Sequence, residues 1–329
     1  MAVPGQKRLL GIWDLRSSPL SIGGVLVFLE ELQILCTQQH AETVDFCIVS
    51  DLLDGQKVTT KSAMQRYQEQ SRVIGTLMLP PSIQGIGDCY WFESENSLRL
   101  HLSRTDCEYQ VWPESAFDNN LVYPYSDTTF TQNYFRQKGS IPYLSFTEEH
   151  QLWAQKFIME HVHPYLPIVV YLKNNPQMPG CSNADFQEWL LFFQAHHKYD
   201  VRFIIIGNDD FDEALRQIEN VIIARDYDSF LVRDLALVQE AYFFMGMASG
   251  PTMAAVYSET PYIIFKNPGH DVAQMEHELG DKNHFSFATL LQKLLRQNDT
   301  EETITEQFIN LYTRYSRKEW EHRMLTWKV

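Results

Sequence analysis

The sequence has no apolar run long enough to cross a membrane. Its longest apolar stretches, such as residues 167–172 and 202–207, have the length of a β-strand. Residues 1–8 lack the apolar segment of a secretory signal peptide. We therefore expect a cytoplasmic protein without a membrane span.

Cysteines are few and basic residues are outnumbered by acidic ones. The chain has 5 cysteines and no CxxC spacing, which argues against a disulfide framework and favours a reducing compartment. The formal net charge is −15, so nucleic acid and anionic membranes are poor partners for the surface as a whole. No group of His, Cys, Asp or Glu has metal-ligand spacing, and we expect no bound metal.

Several motifs of nucleotide and hydrolase chemistry are also missing. The chain has no GxxxxGK[ST] phosphate loop, no GxGxxG after a strand and no GxSxG. These absences weaken the case for nucleotide hydrolysis, for a dinucleotide-dependent dehydrogenase and for a serine hydrolase.

What the chain does contain is an alternation of apolar strands and amphipathic helices over 329 residues, enough for two domains of ~150 residues each. Such alternation is typical of parallel α/β sheets. We predict an α/β protein of two Rossmann-like, doubly wound domains that face each other across a cleft. Ligands in such sheets bind outside the carboxyl ends of the strands.

The predicted domains are residues 1–145, a connecting helix at 146–165, residues 166–315 and a final helix at 316–329. In the first domain the clear elements are a strand at 8–13, a helix at 25–39 and a strand at 45–50, whereas residues 75–145 give weak signals. In the second domain we predict strands at 167–172, 201–206, 221–224, 242–247 and 262–265, with helices between them. Everything after the last of these strands is predicted to be helical.

The turn at residues 246–255 carries the most chemical information. It follows a predicted strand and opens a helix, with Gly250 predicted as the N-cap. The amides of Gly250, Thr252 and Met253 and the hydroxyls of Ser249 and Thr252 would then be free to bind a phosphate. The alternative is a tight strand-to-helix turn without a ligand.

These features resemble a known family. The helix at 234–241, the Ser-Gly-Pro turn at 249–251 and the proline at 261 resemble the C-terminal domain of glycosyltransferases with the GT-B fold, and most of all the heptosyltransferase-like group. The early loop at 21–24 is similar to the glycine-rich loop of GT-B N-terminal domains. The resemblance covers the second half of the chain and, more loosely, its first 50 residues.

The resemblance implies transfer of a sugar from a nucleotide-diphosphate sugar to a hydroxyl of a glycan or small molecule, without a metal or a cofactor. Residues 1–145 would bind the acceptor, residues 166–315 the nucleotide sugar, and the helix at 316–329 would cross back to the first domain. The same resemblance suggests a role in polysaccharide biosynthesis.

Three positions depart from the heptosyltransferase pattern. Ala248 stands where the turn has an acid, Met253 where a histidine follows, and Gly24 where the first loop has an aspartate. Two alternatives therefore stay open: a non-catalytic sugar-nucleotide-binding protein with a GT-B-like fold, and an epimerase that acts on the nucleotide sugar itself.

Candidate binding residues lie in the loops that would face the cleft. Lys173 could neutralise the leaving diphosphate, and Arg225 lies where resembling proteins contact the nucleotide base. Their alternatives are a solvated loop lysine and an arginine paired with Asp226 or Asp228. The full set of predicted substrate-binding residues is Arg16, Gly23, Gly24, Lys173, Arg225, Ser249, Gly250, Thr252 and Met253.

A catalytic base is the hardest residue to identify. An inverting transferase needs a carboxylate or imidazole within hydrogen-bond reach of the acceptor hydroxyl. Asp14 follows the first strand, Asp88 follows Gly85-Ile86-Gly87, and His270 follows the last predicted strand of the second domain. Asp14 could instead pair with Arg16, and most lone loop histidines have no catalytic role.

Overall fold

The structure is a computed structural model, and it describes residues 7–15, 21–49, 75, 77–117, 127–176 and 182–326. The chain separates into two compact units, Met1–Thr147 (unit 1) and Glu148–Val329 (unit 2). Among the helices in these described ranges, none combines the length and apolar character needed to cross a membrane.

Unit 1 is built around a parallel sheet. Its described strands are β1 (Lys7–Asp14), β2 (Thr43–Val49), β3 (Ile86–Phe92) and β4 (Glu108–Trp112). Its described helices are α1 (Ile22–Gln39), α2 (Glu95–Arg104) and α3 (Thr129–Lys138). The strand order is β3-β2-β1-β4, and every pairing is parallel. The continuous apolar runs of β1 and β2 are buried, as is usual for strands in parallel sheets.

Helix α1 begins three residues earlier than its apolar pattern predicts. Ser21 is the N-cap, and its hydroxyl oxygen accepts a hydrogen bond from the Gly24 amide at 3.3 Å. A serine at this position satisfies one of the amides that a helix start leaves without a partner. Gly23 and Gly24 therefore lie in the first turn of α1 and not in the loop before it.

Unit 2 contains the larger sheet. Its described strands are β5 (Leu166–Tyr171), β6 (Val201–Ile206), β7 (Val221–Ile223), β8 (Phe243–Met247), β9 (Tyr262–Phe265) and β10 (Gln292–Leu295). Its described helices are α4 (Glu148–Phe157), α5 (Phe186–Ala195), α6 (Leu231–Glu240), α7 (Met253–Val256), α8 (Val272–Leu279), α9 (Glu301–Arg314) and α10 (Arg317–Thr326). A π-helical turn, Ile158–Val162, extends α4.

The strand order of unit 2 is β10-β9-β8-β5-β6-β7, with parallel pairing throughout. The chain runs outward from β5 to β7, then crosses back and continues from β8 to β10 on the other side. The order therefore reverses between β5 and β8, which is the position where doubly wound sheets bind ligands. Aromatic residues of α5, such as Phe192 and Phe193, pack on Phe203 of β6 and Phe308 of α9 to form the core on one face.

The prediction that the chain is wholly helical after residue 265 is wrong. Strand β10 pairs with β9, with Leu294 opposite Ile264. Leucines at 290, 291, 294 and 295 have the spacing of a helix face, but in the structure this segment completes the edge of the sheet. Pairing with β9 thus outweighs the local pattern.

The last helix, α10, bonds to unit 2 in the described residues. The indole of Trp320 donates to the carbonyl oxygen of Glu240 at 3.2 Å, and the guanidinium of Arg323 donates to the carbonyl oxygen of Ala241. Both carbonyls lie at the end of α6, where a helix leaves acceptors without partners. The predicted return of this helix to the first domain stays a prediction.

One buried acid in α1 affects stability. Glu30 is 0% exposed, and neither carboxyl oxygen finds a hydrogen-bond partner among the described residues. Burial raises the pKa of Glu30 well above its ordinary value. The folded chain then keeps a proton that the unfolded chain releases, so stability is lost as the pH rises above the unfolded pKa and towards the folded one.

Replacing Glu30 with glutamine is therefore expected to raise the melting temperature at pH 8, because the amide stays neutral without binding a proton. Each pH unit between the unfolded and folded pKa costs the wild type about 1.4 kcal/mol. Calorimetry should show a large gain for the variant at pH 8 and a small one at pH 5. The exposed Glu114, changed to glutamine, is the control. An equal gain at both pH values would contradict this account.

Candidate functional site

The carboxyl ends of the strands bring four loops to one edge of the unit 2 sheet. The loops after β5 and β6 carry Lys173 and Asp209, and those after β8 and β9 carry Ser249 and Lys266. Because the strands are parallel, these ends share one edge. Strand β8 lies between β5 and β9, so the turn at Ser249 lies between the loops that follow them.

Ser249, and not Gly250 as predicted, caps the turn after β8. A 3₁₀ turn, Gly250–Thr252, leads into α7, which has only 4 residues. The Thr252 hydroxyl donates to the Ser249 carbonyl oxygen at 2.6 Å, the Thr252 amide donates to the same oxygen at 3.2 Å, and the Met253 amide donates to Gly250. These donors, predicted to be free, are used inside the turn. A helix this short also has little macrodipole with which to attract an anion.

The hydroxyl of Ser249 lies between the turn and Tyr171. Its oxygen is buried, caps the Thr252 amide and contacts the Tyr171 hydroxyl, although neither contact has full hydrogen-bond geometry in the described residues. A hydroxyl has one donor and two acceptor positions, so these two contacts leave capacity for a ligand. The turn therefore has the character of a site that a polar ligand completes.

Tyr171 and Asp209 form a hydrogen-bonded pair beside this turn. The Tyr171 hydroxyl donates to Asp209 Oδ2 at 2.5 Å. Burial and then the charge of Asp209 raise the pKa of Tyr171 well above its ordinary value, while the nearby Ser249 hydroxyl opposes the rise. Burial also raises the pKa of Asp209, and its bond to Tyr171 opposes that shift. The sequence did not point to this pair, although a tyrosine ending a buried strand is a usable signal.

The start of the loop after β6 is held by Asp234 of α6. Its two carboxyl oxygens accept from the Gly207 amide at 3.0 Å and from the Ser229 hydroxyl at 2.5 Å. Burial raises the pKa of Asp234 to about 6, and those two hydrogen bonds oppose the rise. This aspartate belongs to the segment that carries the family resemblance, and its contacts give it a role in shaping the loop.

Lys173 is half-buried at the start of the loop after β5. The charge of its ammonium acts on Asp209, on His270 and on Asp271. The structure thus places this predicted residue among the loops at the carboxyl edge of the sheet.

His270 is held on both ring nitrogens. Nδ1 accepts from the Ser182 amide at 3.3 Å and lies 3.0 Å from the Ser182 hydroxyl, whereas Nε2 lies 3.3 Å from Asp271 Oδ2. An amide can only donate, so Nδ1 carries the lone pair and Nε2 the proton. Burial, followed by the charge of Lys266, lowers the pKa of His270. The imidazole is therefore neutral near pH 7, and its lone pair is already engaged.

Lys266 is a residue that the sequence did not single out. It lies directly after β9 with 7% exposure, and its ammonium donates to Asp271 Oδ2 at 2.9 Å. Burial acts to raise the pKa of Asp271, but the hydrogen bond and charge of Lys266 lower it below its ordinary value. The signal in the sequence was a lysine closing an otherwise apolar strand.

Arg225 is not paired with the neighbouring acids. Its guanidinium lies 4.1 Å from the ring centre of Phe211 and donates to the Asp209 carbonyl oxygen at 3.3 Å. Asp226, one of its predicted partners, instead pairs with Arg216. An arginine stacked on a ring offers a flat surface to a third planar group such as a nucleobase.

In unit 1 the structure separates the two candidate aspartates. Asp14 is the last residue of β1, 3% exposed, at the carboxyl edge of the sheet. Asp88 lies near the start of β3, with its side chain 65% exposed and 3.4 Å from Arg8. Arg8 also pairs with the buried Asp45 at 2.6 Å. Asp88 thus lies toward the amino edge, where the strands begin, and not at the edge that holds Asp14.

The remaining predicted residues of unit 1 are Gly23, Gly24 and Arg16. The two glycines lie in the first turn of α1, which follows β1 and so begins at the same edge as Asp14. Arg16 lies outside the described residues. Across those residues, no group of three or more His, Cys, Asp or Glu side chains could hold a metal ion.

Comparison with known proteins supports the architecture. No family model and no curated protein matches the chain. The structure of a glycosyl transferase family 9 protein from Veillonella parvula DSM 2008 aligns with 94% of this chain and 98% of its own, at 11% identity and a TM-score of 0.56. E. coli heptosyltransferase WaaC with ADP-2-deoxy-2-fluoro heptose aligns with 92% of this chain and 99% of its own, at 11% identity and a TM-score of 0.45.

At this identity the likeness to the Veillonella protein shows the fold. The chain has two Rossmann-like α/β units and a GT-B-like fold, which confirms the two Rossmann-like domains predicted from the sequence. Fold alone does not determine function. The activity therefore has to be argued from the residues at the carboxyl edges of the two sheets.

Proposed function

We propose that the chain is a glycosyltransferase that moves a sugar from a nucleotide-diphosphate sugar to a hydroxyl of a glycan or small molecule, without a metal or cofactor. The GT-B-like fold supports this proposal. The observation that carries it is the place of the Ser249 turn, whose buried hydroxyl lies next to the point where the strand order of unit 2 reverses.

The diphosphate is proposed to bind at the turn from Ser249 to Met253. The Ser249 hydroxyl and the Gly250 amide would contact phosphate oxygens, while Thr252 and Met253 keep the turn in shape through their internal bonds. Lys173 would offset the negative charge that develops on the leaving diphosphate. Stabilising that charge is the main electrostatic task of a transferase that uses no metal.

The nucleotide base is proposed to lie against Arg225, whose guanidinium is already stacked on Phe211. The acceptor is proposed to bind unit 1 near Arg16 and the first turn of α1, where Gly23 and Gly24 have no side chains that would block a ligand. A sugar or a small molecule with a hydroxyl fits such a role.

Asp14 is the proposed general base for the acceptor hydroxyl, because it is a carboxylate at the carboxyl edge of its sheet. Asp88 is a weaker candidate, since it lies toward the opposite edge beside Arg8. His270 is weaker as well, because its lone pair accepts from Ser182.

A second function is favoured by the same contacts. The lone pair of His270 is engaged, and Asp88 lies toward the edge of the sheet opposite Asp14. If Asp14 does not act as a base either, none of the three candidate bases is left. The chain would then bind a nucleotide sugar without transferring it. A nucleotide-sugar epimerase is the other alternative. Turnover separates the three: an epimerase converts the donor without an acceptor, a transferase needs one, and a binding protein consumes nothing.

Replacing Ser249 with aspartate is expected to abolish the stabilisation that a bound nucleotide sugar gives. The new carboxylate would stand where phosphate oxygens bind, and like charges at close range repel strongly. The measurement is the melting temperature against a panel of nucleoside diphosphates and nucleotide sugars. A ligand at 100 times its dissociation constant adds about 2.7 kcal/mol to the wild type.

The charge-matched control is Ser103→Asp, at an exposed position of α2. It should respond to the nucleotide as the wild type does. If no nucleotide shifts the melting temperature of the wild type, even at millimolar concentration, the proposed donor site is wrong.

A further inference from the structure

Lys266 is a buried cation with hydrogen-bonding capacity to spare. Its side chain is 9% exposed, and its ammonium donates to Asp271 Oδ2 at 2.9 Å. An ammonium has three N–H donors, and among the described residues we find no second acceptor for it. Burying a charge without full hydrogen bonding is costly. A ligand with anionic oxygens would supply the acceptors that this ammonium lacks.

The backbone sets Lys266 beside the Ser249 turn. Strands β8 and β9 are neighbours, with Met247 opposite Phe265, and the Ala248 amide donates to the Phe265 carbonyl oxygen at 2.7 Å. Lys266 and Ala248 are thus the first residues beyond the paired ends of the two strands. The Ser249 turn and Lys266 therefore lie at the same height along the strands, at the carboxyl edge of the sheet.

A chain of hydrogen bonds ties Lys266 to the loop that carries Lys173. Asp271 Oδ2 contacts both the Lys266 ammonium and His270 Nε2, and His270 Nδ1 accepts from Ser182. Ser182 lies at the far end of the loop after β5. Since β8 separates β5 from β9 in the sheet, these loops meet across the carboxyl end of β8, where the Ser249 turn lies.

This cluster brings two ammonium groups to one edge of the sheet. Lys173 and Lys266 both act on Asp271, while the His270 imidazole between them is neutral near pH 7. Asp209, the other acid near Lys173, already accepts the Tyr171 hydroxyl. The carboxylates of Asp209 and Asp271 offset the two ammonium groups, so this edge lacks the excess of negative charge of the whole chain, −15, that would repel an anion.

We propose that Lys266 is a second phosphate-binding cation, which acts with Lys173 to hold the two neighbouring phosphates of a diphosphate group. The inference rests on the proposed function and names a residue of the same site. Lysine binds phosphate as a compact point charge. Two such charges on opposite sides of the β8 turn suit a diphosphate better than a single phosphate.

The test uses inorganic pyrophosphate as the probe, titrated into the full chain by calorimetry at low salt. Lys266→Gln is expected to weaken pyrophosphate binding about 10- to 100-fold, the worth of a buried hydrogen bond to a charged group. Lys293→Gln is the matched control, because Lys293 lies on the next strand and donates to Gln307 at 3.4 Å. It should bind as the wild type does.

The outcomes separate this inference from the proposed function. If Lys266→Gln binds pyrophosphate as tightly as the wild type, while Ser249→Asp abolishes nucleotide binding, Lys266 has no role and the donor site stands. If the wild type binds neither pyrophosphate nor any nucleotide, both are overturned. If inorganic phosphate binds as tightly as pyrophosphate, the claim of two phosphate positions is wrong.

A measurement on the wild type covers the case in which Lys266→Gln fails to fold. With ¹⁵N-labelled lysine, the side-chain ammonium resonance of Lys266 should shift when pyrophosphate is added. The resonance of Lys293 should not. A Lys266 resonance that stays in place at saturating pyrophosphate would overturn the inference.

Discussion

Replacing Asp14 with asparagine is expected to lower the turnover number for sugar transfer by about 10²- to 10⁴-fold, the range in which a general base contributes. Asparagine has nearly the same size and cannot accept the proton of the acceptor hydroxyl. Donor binding should be unchanged, because the proposed donor residues all lie in unit 2. Release of the nucleoside diphosphate measures turnover, and calorimetry with the same donor measures binding.

Asp88→Asn is the control for this prediction, since Asp88 lies toward the opposite edge of the same sheet and is largely exposed. Its turnover should stay within a few-fold of the wild type. Loss of turnover in Asp88→Asn with a fully active Asp14→Asn would reverse the assignment of the base. A wild type that binds the donor but transfers nothing to any acceptor would favour the non-catalytic alternative.

The fold could be predicted where burial alone determines the pattern. Strands β6 and β9 were predicted at their observed bounds, because each is a short apolar run buried on both faces. Strand β3 could not be predicted, because it is an edge strand of mixed character with exposed positions at Gly87, Asp88 and Cys89. An edge strand is defined by its partner, here β2, and not by its own residues.

The N-cap of α9 could also be predicted only in part. The sequence Asp299-x-x-Glu302 has the pattern of a capping box and predicts Asp299 as the N-cap of α9. In the structure Thr300 is the N-cap, and its hydroxyl oxygen accepts from the Thr303 amide at 3.3 Å. Asp299 instead accepts from the indole of Trp189 at 2.8 Å. The predicted N-cap thus lies one residue before the observed one. The long-range contact of Asp299 with Trp189 had no local signal in the sequence.

For the candidate site, too, positions could be predicted from the sequence but long-range partners could not. That residues after the strands gather at one edge is a property of parallel topology, so Lys173, Ser249 and His270 could be placed from the sequence. Their partners could not. Tyr171 and Asp209 are 38 residues apart and Ser182 and His270 are 88 apart. Contacts at such separations depend on the strand order, which the sequence alone did not determine.

Gly246 in β8 gives the prediction with the largest expected effect on stability. Its φ is +147°, and a Cβ at this position would lie 2.4 Å from the carbonyl oxygen and 2.8 Å from the amide nitrogen of Tyr171. These are backbone atoms of β5, the adjacent central strand, so they cannot move aside as a side chain can. Gly246→Ala would have to separate two paired strands and also occupy a backbone conformation that favours glycine.

We expect Gly246→Ala to reduce the free energy of unfolding by about 2–5 kcal/mol, the sum of overpacking and backbone strain. In a unit of this size that lowers the melting temperature by roughly 5–20 °C. Gly269→Ala is the control, because the nearest atom to its added Cβ is 3.5 Å away and its φ lies outside the left-handed region.

Gly246 pairs with Tyr171 where the strand order reverses. Gly246→Ala should therefore also weaken nucleotide binding, to the extent that it disrupts the pairing of β5 with β8. A variant as stable as the wild type would mean that β5 and β8 are not packed this closely, and the Ser249 turn would lose the rigid support on which the proposed donor site depends.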